Sequence, residues 1–162
     1  LTTKSITVNP EISTSYSVTV TDGKGCQSNT STTVIVNSLP IVTIGGDNDI
    51  CLEESTILTA GGGIGFVWSN GLTTSSITVN PTVTTNYTVT VTDVKGCQNT
   101  KNIVVVVNPL PVALISGVNN ICSGQSTILS ASGGTSYIWS NGSTTSSITV
   151  SPLLATTYSV TV

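Results

Sequence analysis

The sequence predicts an all-β chain of tandem sandwich repeats, each 71 residues long, and three observations carry that prediction. The first is composition. The 162 residues include 30 Thr, 23 Ser and 21 Val but only one Phe, and 7% are charged, which is the make-up of strands joined by short polar turns. The second is an internal repeat. Ile-Thr-Val stands at 6–8, 77–79 and 148–150. Tyr16, Tyr87 and Tyr158 keep the same 71-residue step, as do Trp68 and Trp139, Cys26 and Cys97, and Cys51 and Cys122. Residues 51–91 match 122–162 at 25 of 41 positions, and 1–37 match 72–108 at 23 of 37. The third is period. Tyr87, Val89 and Val91 alternate with Thr88, Thr90 and Thr92, as in a strand with one buried face, and no segment has a helical period.

The boundaries follow from proline. Asn37-Ser38-Leu39-Pro40 and Asn108-Pro109-Leu110-Pro111 lack donors at proline and hold an extended backbone, which suits a stiff connector. Residues 1–37 therefore read as the C-terminal part of a first repeat, 38–108 as one complete repeat and 109–162 as the N-terminal part of a third. Such a phase reads as a window onto a longer array.

Within the complete repeat, turn clusters every 6–12 residues predict strands at 41–45, 55–60, 65–69, 76–79, 85–92 and 99–107, with a weaker one at 72–74. Asp93-Val94-Lys95-Gly96 reads as a tight hairpin turn, with Gly96 supplying a positive φ, and Ser69-Asn70-Gly71 as a second turn. Asp22 and Gly25 occupy the same turn one repeat earlier, and an aspartate there caps the turn by accepting backbone N–H bonds. A 71-residue sandwich has a small core. Trp68 and Trp139 are expected to fill it, with Phe66, Leu58, Ile77, Val79, Val89 and Val91 and the tyrosines 16, 87 and 158.

Composition also excludes function classes. With no His in the chain there is no imidazole base, no Ser/His or Cys/His pair and no usual zinc site. Four Lys and no Arg make no phosphate-binding surface, so nucleic acid is not an expected partner. The longest aliphatic run, 103–107, is far short of the roughly 20 residues that cross a bilayer. The positive mean hydropathy of +0.34 reflects strand valines, so no membrane span is expected.

The pattern Ile-Cys-x-x-x-Ser-Thr-x-Leu, then Trp-Ser-Asn-Gly, then Tyr-x-Val-Thr-Val-Thr-Asp-x-x-Gly-Cys runs through the chain. Its residues are Cys51, Ser55, Thr56, Leu58, Trp68 to Gly71, Tyr87, Val89, Val91, Asp93, Gly96 and Cys97. It resembles the Ig-like and PKD-like tandem repeats of large secreted surface proteins of Bacteroidota, including gliding-motility adhesin repeats, and departs from PKD domains in having Trp-Ser-Asn-Gly where they carry Trp-x-Phe-Gly-Asp-Gly. The resemblance implies Ig-like sandwiches, export by the type IX route, and a place on the cell surface in an extracellular stalk, filament or adhesin. An Ig-like topology also bears on the cysteines. Two per repeat in an exported protein invite a bridge from Cys51 to Cys97. Strands two and five of such a sandwich run in the same direction on opposite sheets, however, which puts these two at opposite poles, roughly 20 Å apart. The expected pairing is therefore between repeats. Cys51 and Cys122 would each bridge the hairpin-turn cysteine of the following repeat, and Cys26 and Cys97 a cysteine of the preceding one. The Cys51–Cys97 bridge is the alternative.

Three further patterns read as structure. Asp47, Asp49, Glu53 and Glu54 have the chemistry of a Ca²⁺ loop, but the equivalent residues are Val118, Asn120, Gly124 and Gln125, so the cluster reads as a solvated loop. Trp68 and Trp139 would suit sugar stacking, but Phe66 and Tyr137 on the same strand faces make a core the better reading. The Asn-x-Ser/Thr triplets at Asn29, Asn86 and Asn141 are the chance yield of this composition. The expectation is thus a non-enzymatic structural segment with no cofactor. Its partners would be neighbouring repeats of the same longer chain, further copies in a filament and an unknown surface ligand at a distant tip. The alternative is a polysaccharide-binding accessory module of a secreted enzyme.

Overall fold

The computed structural model describes residues 3–162, and none of these is helical. The chain is all-β and divides into two compact units, Leu1–Val107 and Asn108–Val162.

The first unit opens with a hairpin of β1 (Thr14–Thr21) and β2 (Gln27–Val34). The complete repeat follows with β3 (Thr43–Gly45), β4 (Asp49–Cys51), β5 (Thr56–Gly61), β6 (Gly65–Trp68), β7 (Ser76–Val79), β8 (Thr85–Thr92) and β9 (Gln98–Asn108). These strands form two sheets, ordered β3-β5-β7 and β4-β9-β8-β6. The sheets share one core in a sandwich-like arrangement. Leu58, Ala60, Ile77 and Val79 enter it from the first sheet, and Trp68, Tyr87, Val89, Val91 and Val105 from the second. Period two sets this outcome. Along β5, Thr56, Leu58 and Ala60 are buried, while Ile57 and Thr59 face out. Each large aliphatic side chain buried this way stabilises the repeat by roughly 1.5–3 kcal/mol. The one buried polar side chain of the core strands, Thr56, donates its hydroxyl hydrogen to the Asp47 carbonyl at 2.7 Å.

Two local readings of the sequence are corrected. Residues 72–74 form no strand. Their backbone wraps Trp68 instead: the Leu72 carbonyl accepts from the Trp68 N–H, and the Thr74 carbonyl from the indole. The strand β4 has no counterpart in the sequence reading. Three residues long, it is held by a partner far along the chain, as the Asn48 carbonyl accepts from the Val106 N–H at 2.8 Å and the Asn48 amide donates to the Val104 carbonyl.

The β1–β2 hairpin repeats the β8–β9 hairpin in register. Thr14 faces Val34 and Tyr16 faces Thr32, as Thr85 faces Val105 and Tyr87 faces Ile103. No second sheet covers this hairpin among the described residues. Tyr16, expected in a core, is therefore only half-buried and belongs to neither core cluster.

The second unit contains β10 (Leu114–Gly117), β11 (Thr127–Ser132), β12 (Ile138–Trp139), β13 (Ser147–Val150) and β14 (Val160–Thr161), in sheets β10-β11-β13 and β12-β14. Its registers are those of the complete repeat moved by 71: Thr127 faces Val150 as Thr56 faces Val79. Its core gathers Ala131, Trp139, Ile148 and Val150, with Leu129, Tyr137, Tyr158 and Val160 packed against them.

One turn carries strain. The Glu54 N–H donates to the Cys51 carbonyl at 3.1 Å, and Glu53 between them has φ 74°, alone among the described non-glycine residues in having a positive φ. The third position of such a turn favours glycine, and the next repeat has Gly124 there, at φ 75°. Glu53→Gly is expected to stabilise the complete repeat by about 0.5–1 kcal/mol, the left-handed penalty less the entropy that glycine adds to the unfolded chain. The check is a higher urea midpoint at unchanged slope.

Candidate functional site

Two loops recur with all their bonds. At the first, Trp68 and Trp139 are each 2% exposed. Their indole N–H groups donate to the carbonyls of Thr74 and Thr145 at 2.9 and 2.8 Å. The turn between is closed by Gly71 N–H to the Trp68 carbonyl, and by Gly142 N–H to that of Trp139. Asn70 and Asn141 accept from the N–H two residues on. Ser69 and Ser140 accept from the N–H groups of Thr88 and Ser159. Trp-Ser-Asn-Gly is thus a wired corner in which each polar side chain holds backbone and none points at a ligand.

The second loop is the hairpin turn. The Asp93 carboxylate accepts from the N–H groups of Lys95 and Cys97 at 2.8 and 2.9 Å, and that of Asp22 from Lys24 and Cys26 at 2.8 Å each. Gly96 and Gly25 take φ 82° and 87°, and their N–H groups donate to the aspartate carbonyls. Replacing Asp93 by Ala removes the acceptor of two backbone donors and is expected to cost about 1–2 kcal/mol. Asn, which keeps the acceptor, should restore most of it in the same thermal melts.

This turn also meets the incoming chain. The Lys95 ammonium donates to the Asn37 side-chain oxygen at 3.0 Å, and the Asn99 amide to the Pro40 carbonyl at 3.0 Å. Cys97 therefore lies at the pole where the chain enters the complete repeat. Cys51 ends β4, which lies beside Val104 to Val106 at the far part of β9. Several residues of strand separate that region from Cys97, more than the about 7 Å between Cα atoms that a disulfide spans. None of the four cysteines is bonded to another. Cys26, Cys51 and Cys122 are exposed and Cys97 is half-buried.

The acidic loop is engaged locally. Asp47 accepts from the Asp49 N–H, and Glu54 from the Cys51 N–H. No three Cys, Asp or Glu side chains gather as metal ligands among the described residues. The aromatic side chains all lie inward or half-covered: Trp68, Tyr87 and Trp139 are buried, and Tyr16, Phe66, Tyr137 and Tyr158 half-buried.

The second unit holds a groove of about 480 Å³, lined among others by Ile115, Ile121, Leu129, Val150, Pro152 and Tyr158. Nothing in the sequence reading singled it out. Among the described residues no helix is long and apolar enough to cross a membrane. No protein-family model matches the chain, and no curated protein matches it.

Proposed function

We propose that this chain is a structural spacer, a run of tandem Ig-like sandwiches within an extracellular stalk, filament or adhesin on a bacterial surface, with no catalytic role. The observation that carries this reading is that the recurrent polar devices hold the chain itself: most serve the backbone, and the Gln98–Thr92 and Gln27–Thr21 pairs join the two strands of a hairpin. The indole, Asn, Ser and Asp bonds repeat at 71-residue steps, while the one acidic cluster does not repeat at all. A Thr- and Ser-rich surface with few charges keeps such a spacer indifferent to salt. The Lys95–Asn37 and Asn99–Pro40 bonds support a junction held by specific contacts. In this reading the cysteines, three of them exposed and Cys97 half-buried, serve junctions between repeats. The resemblance to Bacteroidota surface repeats supplies the cellular setting.

Pulling the chain from its two ends tests the reading. The complete repeat should unfold in one step that releases 71 residues, roughly 240 Å of contour at ~3.4 Å per residue. A polysaccharide array should retain none of the protein. Saturable glycan binding lost on replacing a half-buried aromatic would instead support an accessory binding module.

A further inference from the structure

We propose that Asn70 and Asn141 are modification sites gated by folding. The closed corner withholds them from deamidation, whereas a repeat that opens is converted to isoaspartate there and does not close again. Asn-Gly occurs twice in the chain, at 70–71 and 141–142, at the same place in both Trp-Ser-Asn-Gly corners. Glycine has no Cβ, so it leaves the backbone nitrogen after each asparagine unshielded. In an open chain that nitrogen loses its proton to hydroxide and attacks the asparagine Cγ. The N–Cγ bond forms, the Cγ–Nδ2 bond breaks, and ammonia leaves with a proton taken from water, which gives a five-membered succinimide. Water then splits one of the two ring C–N bonds. Splitting at Cγ gives aspartate, and splitting at the backbone carbonyl gives isoaspartate. One water is consumed and one ammonia released, with no redox change.

Both asparagines and both glycines are exposed, so water reaches them. The fold withholds the geometry instead. The Gly71 N–H donates to the Trp68 carbonyl at 2.9 Å, and the Gly142 N–H to the Trp139 carbonyl at 2.8 Å. The attacking nitrogen is thus engaged, and the backbone rotation that would carry it onto Cγ breaks that bond. The carboxamide is held as well. Its oxygen accepts from the Leu72 N–H at 3.2 Å for Asn70, and from the Ser143 N–H at 3.1 Å for Asn141. Around each turn a second bond closes, from the Trp68 N–H to the Leu72 carbonyl and from the Trp139 N–H to the Ser143 carbonyl, both at 2.8 Å. The corner must open before the succinimide ring can close.

Isoaspartate is not a neutral product at this place. It routes the main chain through Cβ and Cγ and so adds one backbone carbon between Trp68 and Gly71. The Gly71–Trp68 and Trp68–Leu72 bonds both span that point, and so does the indole bond to Thr74. A repeat modified while open therefore loses the register that seats its tryptophan. Aspartate in normal linkage keeps the backbone length and the oxygen acceptor. The proposal rests on the corner geometry and survives if the spacer reading fails.

The test is made on the full chain with its cysteines kept reduced. The chain is held in mildly alkaline buffer with and without unfolding guanidinium chloride, and conversion at each asparagine is followed by peptide mapping that separates aspartate from isoaspartate. Both sites should convert at least about tenfold faster in the unfolded chain, a ratio equivalent to ~1.4 kcal/mol of protection. After removal of denaturant, chains with isoaspartate at position 70 should fail to regain amide protection in β6 and β7, whereas Asn70→Asp should regain it. Equal conversion rates in the folded and unfolded chain would overturn the proposal. So would isoaspartate chains that refold as the unmodified chain does.

Discussion

Replacing Trp68 by alanine is expected to lower the stability of the complete repeat by roughly 3–5 kcal/mol. The side chain is 2% exposed and sits among Leu58, Val89, Val91 and Val105, all with no exposed surface. Three consequences add. The largest volume in the core is lost, the cavity left behind is walled by sheets that cannot collapse, and the Thr74 carbonyl loses its indole donor. A domain of 71 residues has roughly 4–11 kcal/mol in total, so the loss takes a large share of that stability and brings a domain at the low end of the range to its unfolding midpoint. Trp68→Phe should recover most of the packing and leave the loss of the bond, about 1 kcal/mol. Circular dichroism melts read the effect on the complete repeat. The fluorescence of Trp139 reports the second unit in the same sample, and its transition should not move. Retention on polysaccharide should be the same before and after, because this indole presents no face to solvent.

The sequence made much of this legible because the repeat and the two-residue period are local signals. Strands β5, β6, β7 and β8 fall where alternating apolar residues and turn glycines put them, and Trp68, Leu58 and Val89 are in the core that this alternation defines. Of the core members the sequence did not name, Ala60 follows the alternation of Leu58, whereas Ile50 and Val105 were not legible. Ile50 lies in a three-residue strand that exists only because β9 runs beside it, and Val105 sits in an aliphatic run with no alternation to tell inside from outside. Tyr16 shows the converse. Its sequence context equals that of Tyr87, yet burial needs a second sheet, and among the described residues none covers the hairpin that carries Tyr16. Of the candidate sites, the turn aspartates were readable from their spacing to Gly25 and Gly96. The groove of the second unit was not, since it is lined by residues from four separate segments.

The identity of bonds across repeats also sorts conserved chemistry from local accident within one chain. Where a residue changes between repeats, the backbone often does not: Glu53 and Gly124 share a φ within a degree. The fold thus imposes the dihedral, and the residue adapts to it. That is why the positions least free to vary are those where backbone meets backbone, not those that look chemical.

Gly62 is such a position, and its replacement by alanine is expected to cost roughly 2–6 kcal/mol. It follows the last residue of β5 at φ 107°, a region side chains rarely adopt. An added Cβ would stand inside contact distance of the Ile41 carbonyl oxygen and carbon, with the Val42 Cα at 3.3 Å. None of these is the end of a flexible side chain, so relief requires β3 to move away from β5. Backbone strain of about 1–3 kcal/mol then adds to overpacking of about 1–3 kcal/mol. Gly133 repeats the situation at φ 103° against the Val112 carbonyl, so the close approach belongs to the repeat. Gly45, which pairs with Thr59 on the same sheet, has open space at its Cβ and no positive φ; Gly45→Ala should change stability by less than about 1 kcal/mol. Amide exchange locates the damage. In Gly62→Ala the N–H groups of β3 should lose protection first, while those of β8 and β9 stay protected until the whole repeat opens. Equal melting temperatures for the two alanine variants would show that the approach of Gly62 to Ile41 is not a constraint on the fold.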